Sequence, residues 1–323
     1  MGDSCTNAPE ALSDEFNTSL IAEVAGLVSG RVQQAVAATA LTTFSIGGAL
    51  SALVTVESEQ ELQLVRALLS REGQPVEVLG FGSNLLVSDN GLDSWVIKLG
   101  AGFRTVEDRG AGAYRLGGSV SLMAASRKVS GEGFSGLEFA AGIPASLGGA
   151  VFMNAGAHGG EMAERIVRVR GVLPDGEVCE WSRGELPWSY RSSGLPAGVV
   201  VTSVELGLVP GDRDRIALAC ADNLAHRRRT QPLALPSAGS VFKNPSQELP
   251  AGKVLEMAGC KGLSRGGARV SELHANWIVN PEKTASASDV IALVNECIER
   301  VASHSGVRLE PEVRMWGRGA RAS

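Results

Sequence analysis

The first hundred residues contain short apolar runs and, between two of them, one segment whose apolar residues repeat with helical spacing. The run "ALSALVTV" (49–56) predicts a strand, and "PVEVLG" (75–80) predicts another. Between them, "SEQELQLVRALLSREG" (58–73) predicts a helix that opens with a capping box formed by Ser58 and Glu61. Strand, helix and strand in this order indicate a β-α-β unit.

The next hundred residues carry a second set of elements. The sequence predicts a helix over "SLMAASRKVSGEG" (121–133) and a hairpin over "RIVRVRGVLPDGEVCEW" (165–181), whose turn is the Pro-Asp-Gly at 174–176. Three further strands are predicted, at "SWVIKL" (94–99), "AYRLGG" (113–118) and "GVVVTSVELGLVPGD" (198–212). We place a domain boundary at the Pro210-Gly211 turn.

The remainder predicts a second, smaller α/β unit. A helix leads into "HRRRTQP" (226–232), "ANWIVN" (275–280) is a strand, a second helix starts at Ser286, and "GVRLEPEVRMWG" (306–317) is the last strand. We therefore expect a polar leader without ordered structure at 1–17, one domain at 18–210, a second at 211–318, and a tail at 319–323.

Composition excludes several classes of protein. The net charge of -5 argues against nucleic-acid binding, and no apolar run reaches the ~20 residues that span a bilayer. The N-terminus is acidic and lacks the apolar stretch of a secretory signal, so we expect a cytoplasmic protein. Five cysteines without a C-x-x-C pair predict reduced thiols and no metal site. Glycine is enriched, with 40 residues, or about 12% against a usual ~7%.

Glycine clusters in two loops that follow strands. The first, "GFGSNL" (80–85), lacks the third glycine of a dinucleotide fingerprint and runs into another apolar segment rather than a helix, so we reject that motif. It can still bind an anion through exposed backbone amides. The second, "AGIPASLGGAVFMNAGAHGG" (141–160), suits either close contact with a ligand or close packing of a helix on a strand.

Eight segments in order resemble the UDP-N-acetylenolpyruvoylglucosamine reductase family. They are "TTFSIGG", "VLGFGSNLLVSD", "GLEFAAGIPASLGGAVFMNAGAHGGEM", "SYRSS", "HRRRTQP", "PSAGSVFKNP", "AGCKGLSRGGARVSELHANWIVN" and "LEPEVRMWG". The resemblance implies an α+β fold, in which an FAD-binding half of the vanillyl-alcohol-oxidase (PCMH) type, built from two subdomains, precedes a smaller α/β substrate domain. It also implies non-covalent FAD, NADPH as reductant, UDP-N-acetylglucosamine enolpyruvate as substrate, and a cytoplasmic monomer.

The resemblance assigns roles to individual residues. Arg191, Ser240 and Glu312 would be catalytic, with Ser240 as proton donor. The cofactor-binding residues would be Gly82, Ser83, Asn84, Leu85, Gly142, Ile143, Pro144, Ser146, Gly148, Gly149, Asn154 and Arg314. The substrate-binding residues would be Tyr190, Arg228, Arg229, Asn244 and His274.

Some of these assignments have rivals in the sequence. Glu310 competes with Glu312, because residues two apart on a strand share a face. Lys243 and Asn244 are candidates to stabilise the Ser240 alkoxide on spacing alone. No insertion follows "YRSS" to carry the tyrosine lid of longer family members, and His274 is our substitute contact, with a packed core histidine as its alternative.

Two other functions remain open at this point. An FAD-dependent alcohol oxidase of the same superfamily could tether its flavin through a histidine, and His158 is the histidine of the glycine loops. A nucleotide-sugar binding module without redox activity would bind no flavin at all.

Overall fold

The computed structural model describes residues 10–246 and 248–317, which form three packed units. The first helix, α1 (Glu10–Leu27), begins inside the segment that we expected to be an unordered leader. Its residues Leu20 and Val24, one helical turn apart, are buried against the first unit, which is why the helix is held there. Residues 1–9, with Cys5, and the predicted tail at 319–323 lie outside the described part of the chain.

The first unit is a four-stranded sheet in the order β1-β2-β5-β3, covered by α1 and α2. Its elements are β1 (Val32–Ala37), β2 (Ala49–Val56), α2 (Glu59–Arg71), β3 (Val76–Leu79), β4 (Leu85–Val87) and β5 (Leu92–Leu99). The predicted β-α-β unit is present, and β2 and β3 both pair in parallel with β5. Ser58 caps α2 by accepting a hydrogen bond from the Glu61 N–H, but the Glu61 carboxylate accepts from the Glu57 N–H and the Ser29 hydroxyl, so only this half of the predicted capping box is formed.

The second unit is an antiparallel sheet in the order β12-β11-β13-β7-β6 with helices on one side. Its elements are β6 (Val106–Asp108), β7 (Ala113–Gly117), α3 (Leu122–Gly131), β8 (Phe134–Ser135), α4 (Leu147–Phe152), β9 (Gly156–Ala157), β10 (Gly160–Glu161), β11 (Ile166–Val172), β12 (Val178–Ser182), β13 (Val200–Gly207) and β14 (Val209–Pro210). The predicted hairpin is β11 and β12, and Gly176 in its turn has φ +91°.

Helix α5 (Arg213–Thr230) belongs to the second unit by its packing. It lies against α3 and the short helical turn at Glu138–Ala140, and its Asn223 donates a hydrogen bond to the Glu138 carbonyl. A helix after the Pro210-Gly211 turn thus returns to the unit that precedes the turn. We therefore place the start of the third unit after Thr230 rather than at residue 211.

The third unit packs two helices on a three-stranded antiparallel sheet in the order β15-β16-β17. Its elements are α6 (Ala251–Met257), β15 (Ser264–Arg265), β16 (Ala268–Val270), β17 (Ile278–Val279) and α7 (Ala287–Ser305). Phe44 and Ile46, from the "TTFSIGG" segment before β2, are buried in this unit's core. The N-terminal part of the chain therefore anchors the third unit to the first.

The last strand is shorter in the structure than the sequence predicts. Only β18 (Arg314–Trp316) is a strand, and it pairs in parallel with β4 of the first unit, not with β17. Residues 307–312 are not in a strand, so the alternation rule does not apply to the two glutamates. The Glu310 side chain is 70% exposed and pairs with Lys243, whereas that of Glu312 is 12% exposed and faces Arg191.

None of the helices within residues 10–246 and 248–317 is long and apolar enough to cross a membrane.

Candidate active site

A cleft of about 1,040 Å³ lies where the three units meet. This volume is at the upper limit of the roughly 300–1,000 Å³ found for ligand pockets, as a large cofactor requires. Both glycine-rich loops of the sequence line it, together with the loop Leu233–Ser240 and the segment that leads into β18.

The loop between β3 and β4 presents a run of free backbone amides to the cleft. Within the described residues, the N–H groups of Phe81, Gly82, Ser83 and Asn84 have no intramolecular acceptor. Gly82 has φ +64°, and a Cβ there would lie 2.3 Å from the Leu41 carbonyl oxygen. Consecutive unpaired amides of this kind bind phosphate oxygens, so the loop fits a diphosphate.

The second glycine-rich loop combines packing with cleft lining. The Gly148 N–H donates to the Gly118 carbonyl at 2.9 Å, and Ser146 Oγ accepts from the Gly149 N–H at 3.3 Å as the cap of α4. Ser146 also packs on Gly80, where a Cβ would lie 2.6 Å from its hydroxyl oxygen. The small residues thus hold α4 close to the amide loop, and the exposed side of the segment lines the cleft.

Arg191 and Glu312 form a buried ion pair in the cleft wall, with 2.7 Å between Arg191 Nε and Glu312 Oε1. The Nε–H is not aligned with the carboxylate as a hydrogen bond, and Arg191 Nη1 donates instead to the Gly156 carbonyl at 3.0 Å. Burial raises the pKa of Glu312, although the Arg191 charge opposes that shift. Glu312 therefore keeps its proton to a higher pH than an exposed glutamate does.

The backbone of the "SYRSS" loop fixes the direction of Arg191. Ser189 and Ser192 exchange two backbone hydrogen bonds, which places Arg191 in a tight turn with φ +59°. Such a conformation costs a non-glycine residue about 1–3 kcal/mol and is typical of functional sites. The buried Asn154 anchors the turn, because its Nδ2 donates to the Ser189 carbonyl at 3.0 Å and its Oδ1 accepts from the Ala163 N–H at 3.0 Å.

Ser240 lines the same cleft. Its hydroxyl has no hydrogen-bond partner among the residues that the structure describes. The next residue, Val241, accepts a hydrogen bond from the Glu312 N–H at 2.7 Å, and the preceding Gly239 packs against the Ser83 carbonyl. These contacts place Ser240 between the amide loop and the Arg191–Glu312 pair.

Two family models match this chain, and the second begins where the third unit of the structure begins. A family model described as FAD binding domain matches residues 35–182, and one described as UDP-N-acetylenolpyruvoylglucosamine reductase, C-terminal domain, matches residues 231–316. The UDP-N-acetylenolpyruvoylglucosamine reductase 2 of Symbiobacterium thermophilum is 41% identical over 289 residues, which are 89% of this chain and 93% of that protein. The chain belongs to the UDP-N-acetylenolpyruvoylglucosamine reductase family.

Two further relatives agree with this membership. The Bacillus subtilis UDP-N-acetylenolpyruvoylglucosamine reductase is 40% identical over 85% of this chain and 91% of its own length. The crystal structure of the Thermus caldophilus enzyme of that name superposes with a TM-score of 0.77 at 37% identity, over 89% of this chain and all of that one. The predicted family, the α+β fold with an FAD-binding half and the class of flavin-dependent oxidoreductase are confirmed.

Most of the residues that the family resemblance pointed to lie in the cleft. Arg191, Ser240 and Glu312 line it together, and so do all the predicted cofactor residues except Asn154. Asn154 lies outside the lining and both ends of its buried side-chain amide are bonded within the protein, to the Ser189 carbonyl and the Ala163 N–H, so its cofactor contact stays a prediction.

Of the predicted substrate residues, only Arg228 lies in the described cleft lining. Arg228 lines the cleft, whereas Arg229 is exposed outside it. Tyr190 and Asn244 are outside the lining but bridge the second and third units, because the Asn244 N–H donates to the Tyr190 hydroxyl at 3.3 Å while Arg191 lies over the Tyr190 ring. His274 is also outside the lining.

His274 corresponds to its alternative, a packed histidine. Its Nδ1 accepts from the Asn276 N–H at 3.2 Å, its ring packs on Gly252, and burial lowers its pKa. The two candidates for stabilising Ser240 are also occupied elsewhere. Lys243 Nζ pairs with Glu310, and Asn244 Oδ1 accepts from the Ala251 N–H at the start of α6.

Three cleft residues were missed by the sequence reasoning. Trp277 lines the cleft with a buried indole N–H that has no acceptor within the described chain, and Glu77 lines it from β3 with a pKa that burial raises. Arg227 is buried in the wall next to the exposed Arg228. The helical period could have indicated Arg227, because it lies three residues after Leu224, which also lines the cleft.

Proposed function

We propose that this chain reduces UDP-N-acetylglucosamine enolpyruvate to UDP-N-acetylmuramate, with FAD as a non-covalent cofactor and NADPH as reductant, in the synthesis of peptidoglycan precursors. One observation carries the proposal. The largely buried Arg191–Glu312 pair and Ser240 line the same cleft as residues 81–84, and within the described residues the Ser240 hydroxyl and these four backbone amides have no partner. A carboxylate-bearing alkene and a diphosphate cofactor need these two kinds of group side by side.

The residues present fit FAD. The amides of residues 81–84 would bind its diphosphate, and the segment 142–146 and Arg314 would line the rest of its length. When bound, FAD supplies the hydride that is taken up from NADPH and delivered to the terminal alkene carbon of the substrate.

Arg191 and Glu312 bind the substrate carboxylate in this proposal. Negative charge builds on that carboxylate when the alkene accepts hydride, and a fixed guanidinium stabilises it in a site that excludes water. Burial favours the protonated form of Glu312 against the opposing charge of Arg191, and a protonated carboxyl there would donate a hydrogen bond to the substrate carboxylate instead of repelling it.

Ser240 donates a proton to the substrate carbon next to the carboxylate. Ser240 lines the cleft and its hydroxyl has no partner in the described residues, so its proton is available to a ligand. Hydride to one carbon and a proton to its neighbour complete the saturation of the double bond.

The sugar nucleotide would enter where the second and third units meet. Arg228, exposed at the cleft, suits its diphosphate, because a guanidinium binds phosphate oxygens in a bidentate manner. Tyr190 and Asn244, which link the two units by a hydrogen bond, suit a contact at the mouth.

Anaerobic mixing in two steps tests the proposal. NADPH should bleach the flavin absorbance between 350 and 500 nm, and addition of the enolpyruvyl sugar nucleotide should restore it with formation of UDP-N-acetylmuramate. Flavin that NADPH reduces but this substrate does not reoxidise would contradict the proposed reaction. A protein that neither contains nor takes up FAD would contradict the cofactor assignment.

The mode of flavin attachment separates this proposal from an alcohol oxidase. His158 is not among the cleft-lining residues, and its ring packs at 5.4 Å on that of His226. We therefore expect all the yellow colour to pass into the low-molecular-weight fraction after denaturation. Colour that stays with the denatured chain would favour the oxidase.

We further propose that the protein acts as a monomer in the cytoplasm. The four described cysteines are free thiols, as is typical of a reducing compartment. Sedimentation equilibrium and fractionation of the source cells test the two statements.

A further inference from the structure

Arg227 is a buried cation without a partner in the protein. Its residue is 8% exposed and lines the cleft. Within residues 10–246 and 248–317, its side chain makes no ion pair and donates no hydrogen bond, and its Nε is fully enclosed. Burial lowers the pKa of Arg227, and no carboxylate opposes that shift.

Packing alone does not account for an arginine at this position. A buried charge without a partner is costly, whereas a methionine or leucine would fill the same space without that cost. Arginine stays protonated even when buried. The missing partner is therefore an electron-rich group that the cleft receives.

The position of Arg227 along the cleft identifies the part of the ligand it meets. Its stem packs on Gly142, where a Cβ would lie 2.6 Å from Arg227 Cδ. Gly142 is at the opposite end of the segment 142–146 from Ser146, which contacts Gly80 beside the free amides. Arg227 is thus away from the diphosphate site along this segment.

A chain of contacts places Arg227 on the side of the reacting groups. The neighbouring His226 packs on His158, which lies in the turn between β9 and β10. The first residue of β9, Gly156, accepts the hydrogen bond of Arg191. Arg227 and Arg191 therefore approach the cleft from the two sides of the same hairpin.

We propose that Arg227 is a cofactor-binding residue whose guanidinium donates hydrogen bonds to the pyrimidine edge of bound flavin and stabilises the reduced cofactor relative to the oxidised one. The inference rests on the use of FAD in the proposed function. Reduced flavin carries more negative charge at this edge, and a fixed positive charge there changes its electronic properties. The exposed Arg228 remains available to the diphosphate of the sugar nucleotide.

The midpoint potential of bound FAD tests this assignment, measured by anaerobic photoreduction against a dye of known potential. Arg227→Gln should weaken the binding of reduced FAD at least tenfold relative to the binding of oxidised FAD. This change lowers the two-electron potential by about 30 mV. Arg227→Lys, which keeps the charge, should lower it less. Arg215→Gln removes an exposed arginine of the same helix and should leave the potential unchanged.

An unchanged potential in Arg227→Gln would overturn the proposal. It would do so even if the binding of NADP⁺ or UDP weakened, because the cation would then serve a nucleotide phosphate. If Arg227→Gln is isolated without flavin, Arg227→Lys and Gly142→Ala, whose methyl group displaces the guanidinium, provide the same measurement. No enolpyruvyl substrate is present, so failure of the proposed reductase reaction and failure of this inference are separate results.

Discussion

Glu312 Oε1 lies 2.7 Å from Arg191 Nε, although the two residues come from different units of the fold. Arg191 is held by the Ser189–Ser192 turn of the second unit, and the backbone of Glu312 is bonded to Val241 in the third. The carboxylate-binding pair therefore exists only when the two units are docked. Substitutions that weaken either the Ser189–Ser192 turn or the Glu312–Val241 backbone bond should lower activity, although the substituted residue does not contact the substrate.

Replacement of Arg191 by lysine should affect the two half-reactions unequally. Lysine keeps the charge but lacks the planar fork, so it cannot contact both Glu312 and the substrate carboxylate. Reoxidation of the flavin by substrate should slow by about 10²-fold, while its reduction by NADPH stays near the wild-type rate. Stopped-flow absorbance measures both, and an equal loss in the two would assign Arg191 to the cofactor or NADPH instead.

Loss of the Ser240 hydroxyl should stop only the substrate half-reaction. In Ser240→Ala, FAD binding and NADPH-dependent bleaching should persist, and reoxidation by substrate should slow by at least about 10²-fold, as for a lost general acid. Ser240→Cys should be faster than Ser240→Ala, because a thiol can still donate a proton. If Ser240→Ala were reoxidised by substrate at the wild-type rate, Ser240 would have only a structural role in its turn.

Asn154 should act on catalysis through the Arg191 turn. Asn154→Ala leaves the Ser189 carbonyl and the Ala163 N–H without partners and should destabilise the protein by about 1–3 kcal/mol. Because Arg191 loses its position, kcat for substrate reduction should fall more than flavin affinity does. Asn223→Ala on α5 removes a similar amide contact, to the Glu138 carbonyl, and should cost stability without this fall in kcat.

A methyl group at Gly82 should remove FAD binding, whereas the same change at Gly73 should not. Both glycines have positive φ, +64° and +61°, so alanine costs each about 1–2 kcal/mol of backbone strain. At Gly82 the added Cβ also meets the Leu41 carbonyl oxygen, but at Gly73 nothing lies within 4 Å. Flavin titration of the two variants should show weaker binding only in Gly82→Ala, and equal affinities would contradict the diphosphate assignment of the amide loop.

Stability of the flavin-free protein should depend on pH through Glu77. Burial raises the pKa of Glu77 in the folded state, although the Arg314 charge opposes it, so the folded protein keeps this proton to a higher pH than the unfolded chain does. The associated stability is complete below the unfolded pKa of about 4.3 and is lost as pH rises through the folded pKa. Glu77→Gln should therefore gain in Tm over the wild type between pH 4 and 7, measured by calorimetry, and the exposed Glu282→Gln should not.

The sequence by itself determined the local elements and the chemical types of the site. The N-cap at Ser58, the β11–β12 hairpin and the helix that starts at Ser286 are local patterns, because their hydrogen bonds join residues close together in the sequence. The motifs "GFGSN" and "SYRSS" could be recognised in the sequence for a similar reason, because the residues of each motif lie within one short loop.

Only the tertiary structure decided which of these residues meet. The pairing of β18 with β4 brings Glu312 to the cleft and leaves Glu310 in solvent, and no local pattern distinguishes the two. Asn154 faces the Arg191 turn, His274 packs on Gly252, and Arg227 rather than Arg229 enters the cleft wall. These outcomes depend on contacts between residues far apart in the chain, because burial and the available partners are set by how the units dock and not by the identity of the side chain.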